Sequence, residues 1–162
     1  MFKLSKNPQN LKDNFLNKTS LSDIIKISFN KFKNYNNNIK LDLKKAKDEP
    51  IIKFRDEIMY GIGNIIQNAI QHADKIVGVE LIWTNSIINI IISDDGPGFT
   101  KEKLDNIGSP FITSTKKYGM GLGIFITKYL IERIEGKIIF TNNKNSVGSC
   151  VKIQLNRKKL EI

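Results

Sequence analysis

The chain has 162 residues, of which 26 are Lys or Arg and 16 are Asp or Glu, so its formal net charge is +10. This length fits one ordinary domain with its own core, and a single cysteine excludes an internal disulfide. No apolar run approaches the ~18 residues that a membrane-spanning helix needs, and the N-terminus lacks the apolar segment of a signal peptide. We expect a cytoplasmic domain, whose parent protein could still be an inner-membrane sensor.

The positive charge is spread along the chain. Residues 44–45 and 157–159 form short basic clusters, and neither is interleaved with aromatic residues. This distribution is more typical of a compositional bias than of a nucleic-acid surface. We therefore expect no nucleic acid and no direct membrane contact, although a module that binds an anionic partner through its basic surface stays an alternative.

The first third of the chain predicts a linker, a helix and a strand. Residues 1–19 are polar and read as a linker or the end of a preceding helical hairpin. Ser20 or Ser22 can cap a helix that continues to Phe32, because its apolar residues have helical spacing. Residues 39–43 alternate with period two, as a half-buried strand does.

Helices and hairpins follow in mixed order. The predicted elements are a helix at 54–73, strands at 77–83 and 87–92, a helix at 122–134, and strands at 137–141 and 149–155. Between them, residues 96–118 predict a long functional loop. The pattern predicts an α+β fold, a two-layer sandwich in which a mixed, mostly antiparallel sheet of about five strands carries about three helices on one face. We expect the domain at 20–157 and a C-terminal tail at 158–162.

Four short segments carry the candidate chemistry. They are NIIQNA at 64–69, DDGPG at 94–98, PFITSTK at 110–116 and GMGLG at 119–123. In the first segment, Asn64 and Asn68 are four residues apart and share one helix face. An asparagine oxygen suits Mg²⁺, which prefers oxygen ligands, although surface asparagines would give the same pattern.

The second and fourth segments suit the two ends of a nucleotide. Asp94 follows an apolar strand, and its carboxylate could accept a hydrogen bond from the exocyclic amine of adenine, whereas guanine offers a carbonyl there. A simple surface turn is the alternative. The glycines at 119–123 open a helix, whose N-terminal N–H groups attract phosphate. His72, the only histidine, cannot form a histidine-based metal site, and we expect it at the pocket rim or the surface.

Together, the four segments resemble the N, G1, F and G2 boxes of the catalytic ATP-binding domain of sensor histidine kinases. This domain belongs to a superfamily shared with gyrase B, MutL and the large heat-shock chaperone. Gly148 and Ser149 resemble a weak final glycine motif. The resemblance covers residues 20–156 and implies a Bergerat-type fold that binds ATP and Mg²⁺.

The resemblance also implies roles for individual residues. Asn68 would be the Mg²⁺ ligand, and Asn64, Asn68 and Lys116 would have catalytic roles, while residues 99–118 would form a lid over ATP. Gln71 occupies a position where this branch commonly has a basic residue. The implied nucleotide-binding residues are Asn68, Gln71, His72, Asp94, Gly96, Gly98, Ile107, Phe111, Thr115, Lys116, Gly119, Met120, Gly121, Leu122 and Gly123.

Within the superfamily, Asn64 favours the histidine-kinase branch, because the ATP-hydrolysing branches have a glutamate base there. The lead-in at 60–64 and the helix at 124–133 look most like the RegB/PrrB group. No histidine precedes His72, so the resemblance implies that a separate dimerisation domain supplies the phosphoacceptor histidine and that a response regulator receives the phosphate. We expect the isolated domain to be a monomer. An ATPase module of the gyrase B or MutL type is the alternative.

Overall fold

The computed structural model describes residues 18–107 and 120–162, without the side chains of residues 120 and 121. Five strands and five helices lie in these ranges, together with a 3₁₀ turn at Lys33–Tyr35. In chain order they are α1 (Leu21–Phe32), β1 (Lys40–Lys45), α2 (Asp56–His72), β2 (Ile76–Trp83), β3 (Ile87–Asp94), α3 (Lys101–Asn106), α4 (Met120–Arg133), β4 (Lys137–Asn142), β5 (Ser149–Asn156) and α5 (Arg157–Leu160).

The five strands form one mixed sheet in the order β1-β2-β3-β5-β4. Strands β1 and β2 are parallel, and the other three pairs are antiparallel. Helix α2 contacts both α1 and α4, and these three helices cover one face of the sheet. The predicted two-layer α+β sandwich is therefore confirmed.

Alternating side chains explain why one face of the sheet is covered. In β3, Ile88, Ile90 and Ile92 are buried beneath the helices, whereas the residues between them are only half-buried on the outer face. The buried side of α2 consists mainly of isoleucines at helical spacing. Burying an aliphatic side chain of this size stabilises a fold by about 1.5–3 kcal/mol, so this interface dominates the stability of the domain.

A polar cluster fixes the start of α1. The Ser20 side chain accepts from the Asp23 N–H at 3.2 Å, so Ser20 is the N-cap. The Glu49 carboxylate accepts from the Ser22 N–H at 2.8 Å and from the Ser22 hydroxyl at 2.7 Å, and it pairs with Lys45 at 2.8 Å. Burial raises the pKa of Glu49, but these contacts outweigh it and hold the pKa below its usual range.

Two short helices were absent from the sequence prediction. Helix α3 lies inside the predicted loop 96–118, and the Thr100 side chain caps it by accepting from the Lys103 N–H at 3.2 Å. Its six residues are too few to show helical periodicity. Helix α5 lies at the start of the predicted tail 158–162, where Leu160 is 4% exposed and belongs to the core.

The two ends of the described domain meet at Ile52. This residue forms β-bridges with Thr19 on one side and Glu161 on the other. The Lys53 N–H also donates to the Leu160 carbonyl oxygen at 2.8 Å. Thr19 and residues 160–162 are therefore bonded to the domain. Within the described ranges, no helix combines the length and hydrophobicity that crossing a bilayer would require.

Candidate nucleotide-binding site

The Asp94 side chain lies at the end of β3 and is 5% exposed. Its Oδ1 accepts from the Gly96 N–H at 2.9 Å and from the Ser149 N–H at 3.4 Å. The Ser149 hydroxyl donates to Oδ2. Three donors therefore hold the carboxylate in one orientation, and they come from its own loop and from β5.

The loop after Asp94 fits closely against its neighbours. A Cβ on Gly96 would lie 2.0 Å from the His72 carbonyl oxygen. Gly98 has a φ of +78°, and a Cβ there would lie 2.7 Å from Oδ1 of Asn142. Only glycine satisfies both positions, because one lacks space and the other combines crowding with a left-handed backbone. The glycines predicted to shape a pocket are thus required by the fold itself.

Asp95 fastens this loop to the turn that follows α2. Its Oδ1 accepts from the N–H groups of Asp74, Lys75 and Ile76 at 2.8, 3.0 and 3.2 Å. Burial raises the pKa of Asp95, but the backbone N–H donors outweigh burial and hold the pKa below its usual range. The helix that carries the predicted metal ligand and the loop that carries Asp94 are therefore joined.

Two asparagines at the end of β4 hold the same loop from the other side. Asn142 accepts from the Phe99 N–H at 2.7 Å and donates to the Phe99 carbonyl oxygen at 2.9 Å. Asn143 donates through Nδ2 to the Asp94 carbonyl oxygen at 3.0 Å and to that of Val147 at 2.8 Å. Both residues lie outside the four sequence motifs, because nothing in the sequence pairs them with a loop more than forty positions away.

Helices α2 and α4 form the second wall of the candidate site. The Asn64 Nδ2 donates to Oγ1 of the buried Thr127 at 3.2 Å, and Gly61 faces Ile131. The two helices therefore run antiparallel along this interface, with later residues of α2 meeting earlier residues of α4. The same register brings Asn68 towards the first turns of α4, where a Cβ on Gly123 would meet no atom of the described residues within 4 Å.

Four predicted residues follow one side of α2. Asn64, Asn68, Gln71 and His72 are all half-buried, and His72 ends the helix beside Gly96. Because all four residues lie on α2, the helix fixes the distances between them. Asn64 is drawn towards α4 through its bond to Thr127. Thr127 was not foreseen, since a threonine in an apolar helix is indistinguishable from a packing residue in the sequence.

The structure describes only some of the other predicted residues. Ile107 follows α3 and is half-buried, and Leu122 in α4 is 58% exposed. Met120 and Gly121 lie in the first turn of α4, as the predicted helix opening requires. Phe111, Thr115, Lys116 and Gly119 lie outside the described residues. Sequence analysis noted Ser149 only beside a weak glycine motif, and its hydroxyl bond to Asp94 is seen only in the structure.

The described residues contain no group of three or more His, Cys, Asp or Glu side chains that could hold a metal ion. Among the described residues, Asn64 of α2 contacts α4 through Thr127, and Asn68 lies one turn further along the same face of α2. An amide site of this kind suits Mg²⁺ that keeps several of its ligands as water and phosphate, rather than a metal held by an all-protein cage. The donor set therefore fits the metal that the N-box motif implies.

Comparison with known families agrees with this geometry. Residues 53–159 match the family model described as "Histidine kinase-, DNA gyrase B-, and HSP90-like ATPase". The match includes α2, the Asp94 loop, α4 and the closing hairpin of the sheet. The chain belongs to this family of ATPase domains.

Curated relatives are sensor kinases from several bacteria. The chain is 36% identical over 104 residues to the sensor histidine kinase RegB of Cereibacter sphaeroides, covering 58% of this chain and 22% of that protein. It is 32% identical over 97 residues to sporulation kinase A of Bacillus subtilis, covering 59% and 16%. The chain thus spans about a fifth of the length of these relatives. The similarity to RegB agrees with the group that the sequence motifs favoured.

Solved structures with the same fold include two histidine kinases. The catalytic domain of ThkA superposes with a TM-score of 0.74 at 23% identity, covering 88% of this chain and 97% of that one. The mycobacterial sensor histidine kinase MprB gives a TM-score of 0.74 at 18% identity, covering 86% and 97%. At these identities the likeness concerns the fold, and it extends across nearly the whole of both domains.

Proposed function

We propose that this chain is the ATP-binding catalytic domain of a sensor histidine kinase, which delivers the γ-phosphate of ATP to a histidine on a separate dimerisation domain. The observation that carries the proposal is the buried Asp94 carboxylate, oriented by Gly96 and Ser149 within the fold of this ATPase family. The similarity to RegB and other sensor kinases supports the histidine-kinase branch.

Asp94 is the proposed adenine ligand. A carboxylate offers about four lone-pair sites, and the three described donors leave one for another N–H. The exocyclic amine of adenine is a donor of the right kind. Guanine would present a carbonyl oxygen to the same site and leave a buried acceptor without a partner, which costs about 1–3 kcal/mol. The site is therefore proposed to select adenine.

The phosphates are proposed to lie between α2 and the start of α4. Backbone N–H groups at the first turn of α4 attract anions, and the space beside Gly123 lets a ligand approach the backbone. Asn68 is the proposed Mg²⁺ ligand, with Asn64 one turn earlier on the same helix. Lys116, Thr115 and Phe111 are proposed to complete the phosphate end.

When bound, Mg²⁺ would neutralise charge on the phosphates. The residues of this chain bind the nucleotide and orient it, and the dipole of α4 stabilises negative charge. The described pocket offers an amide, Asn64, at the position of the glutamate base in hydrolysing relatives. An amide cannot take a proton from water, so this residue favours transfer to a partner histidine over autonomous hydrolysis. An ATPase of the gyrase B or MutL type gains no support from this position.

The proposed partners are a histidine-containing dimerisation domain and a response regulator. The chain spans only part of its relatives, which leaves room for both the acceptor and a sensor region in a longer protein. Because the reaction consumes ATP, the cytoplasm is the proposed location.

Two measurements test the proposal. Isothermal titration with a non-hydrolysable ATP analogue, with and without Mg²⁺ and against the GTP analogue, should show adenine-selective binding that Mg²⁺ strengthens. Incubation with γ-labelled ATP and a purified dimerisation domain of a RegB-type kinase should label that domain on histidine, with an acceptor His→Gln variant as the control.

Equal affinity for both nucleotides would contradict the adenine assignment. Release of phosphate at a steady rate by the chain alone, without transfer to the acceptor domain, would instead support the ATPase alternative.

A further inference from the structure

We infer that Asn142 and Asn143, here called the asparagine pair, are positioning residues for the nucleotide pocket. They hold the two ends of the loop formed by residues 94–99, which contains the proposed adenine ligand and the two enclosed glycines. The inference rests on the proposed function and extends it to a part of the chain outside the four sequence motifs.

Asn142 holds the distal end of the loop as a neighbouring strand would. Its amide accepts from the Phe99 N–H and donates to the Phe99 carbonyl oxygen, so both polar groups of one backbone residue are satisfied by one side chain. The Phe99 ring packs edge-on against Phe140 in β4, with centroids 6.2 Å apart. Backbone and side chain of Phe99 are therefore both fixed to the same strand.

Asn143 holds the proximal end. Its Nδ2 donates to the Asp94 carbonyl oxygen and to Val147, and its own N–H donates to the Gly148 carbonyl oxygen at 2.9 Å. The turn between β4 and β5 is thus closed by the residue that holds Asp94. A Cβ on Gly148 would lie 1.8 Å from the same Asp94 oxygen, so the turn and the strand end fit directly against each other.

The arrangement matters for binding because it adds to the hydrogen bonds of Asp94 and Asp95 that set the shape of the loop. Glycines at 96 and 98 leave the backbone free to adopt many conformations unless contacts restrict it. Fixing both ends from one dipeptide restricts Gly96 to its place beside His72 and keeps the Asp94 carboxylate aligned with its remaining acceptor site. A pocket fixed before binding loses less conformational entropy when the ligand arrives.

The test compares alanine variants of the pair with two matched asparagine controls. Asn145 lies exposed in the same turn, and Asn89 accepts a hydrogen bond from Gln154 at 3.2 Å on the outer face of the sheet. Titration with the ATP analogue and Mg²⁺, well below the melting temperature, gives the affinity of each variant. Amide hydrogen exchange at Phe99 reports the state of the loop directly.

Asn142→Ala and Asn143→Ala should each weaken ATP-analogue binding by about tenfold, whereas Asn145→Ala and Asn89→Ala should stay within about twofold of wild type. Asn142→Ala should also accelerate exchange of the Phe99 amide, whose acceptor is removed. A merely structural role would lower the melting temperature, as in Asn89→Ala, without changing affinity.

If wild type binds the analogue and both variants of the pair bind as tightly as the controls, the inference is overturned while the proposed function stands. If wild type itself shows no adenine-nucleotide binding, the proposed function fails, and the positioning role fails with it. The exchange measurement on the unliganded protein then still reports whether Asn142 fixes Phe99.

Discussion

At the proposed adenine end of the candidate site the glycines are enclosed, whereas at the α4 end Gly123 has no close neighbour among the described residues. A Cβ on Gly96 or Gly148 would lie within 2.0 Å of a backbone oxygen, but among the residues that the structure describes a Cβ on Gly123 would meet no atom within 4 Å. The same residue type therefore serves two purposes. At the first end it allows the protein to pack on itself, and at the second it leaves room for a ligand.

The polar groups of the two ends differ in the same way. Asp94 and Asp95 together accept hydrogen bonds from several backbone N–H groups, so the adenine end is formed before any nucleotide arrives. Along α2, the described bond of Asn64 is to Thr127 of the neighbouring helix. The described residues therefore fix the end that is proposed to recognise the base more tightly than the end that is proposed to hold the phosphates and the metal.

The largest expected effect contrasts two glycine substitutions. Gly96→Ala should lower the free energy of unfolding by at least about 3 kcal/mol, because the added methyl meets the His72 carbonyl oxygen and backbone must move. Gly123→Ala should stabilise the helix by up to about 1 kcal/mol while weakening ATP binding. Urea denaturation and titration separate these effects. A Gly96→Ala protein as stable as wild type would contradict the enclosed geometry.

Removing the charge of Asp94, the proposed adenine ligand, should have the next largest effect. Asp94→Asn should weaken ATP-analogue binding by about 2 kcal/mol or more, because a charged hydrogen bond is lost and an amide donor is brought against the Ser149 and Gly96 donors. Calorimetry measures the change. Asp42→Asn, an exposed carboxylate on β1, is the control and should bind as wild type does. Unchanged affinity in the Asp94 variant would refute the adenine assignment.

The stability of the adenine end should depend on pH through Asp95. Its folded pKa is lowered, so its contribution is complete above the unfolded value of about 4 and is lost as the pH falls through the folded pKa. Asp95→Asn should therefore cost about 1 kcal/mol of unfolding free energy at pH 6 and progressively less below pH 4. Urea denaturation across this range tests it. If the difference in unfolding free energy between wild type and Asp95→Asn grew as the pH fell, the prediction would be contradicted.

The smallest effect on stability and binding is expected at the α4 end of the candidate site. Thr127→Val keeps the shape of a fully buried side chain but removes the acceptor of Asn64. Stability should change by less than about 1 kcal/mol, and the part of ATP affinity that depends on Mg²⁺ should fall about threefold. Titrations with and without the metal give that part, and Thr127→Ser should restore it. If ATP affinity fell equally with and without Mg²⁺, the hydrogen bond between Asn64 and Thr127 would not influence the metal-dependent part of binding.

Most of the fold could be predicted from the sequence because its core is strongly patterned. Period-two alternation at residues 39–43 and helical spacing in α2 were sufficient to predict β1 and α2, and the predicted strand at 87–92 ended only two residues before Asp94. The short helices α3 and α5 could not be predicted in the same way. Each has fewer than two full turns, so capping and tertiary contacts decide its formation.

Some residues of the candidate site could likewise be recognised from the sequence, and others could not. Asp94 and the glycines that surround it could be recognised because their chemistry is local to one short segment. Ser149, the asparagine pair and Thr127 could not, since each acts on a residue 43 to 63 positions away in the chain. The sequence around a hydroxyl or amide residue in a strand or turn does not predict which distant residue it will bond. These residues are defined by topology rather than by motif.

The bridges on either side of Ile52 have a consequence for how this domain can be joined to others. Thr19 and Glu161 lie about two strand spacings apart, or ~10 Å, so the first and last described segments of the domain lie close together. A unit with adjacent ends can be spliced into another protein, or turned as a whole about a single attachment, without disturbing its core. Grafting residues 18–162 into a surface loop of an unrelated host should therefore preserve the sheet and the Asp94 pocket together.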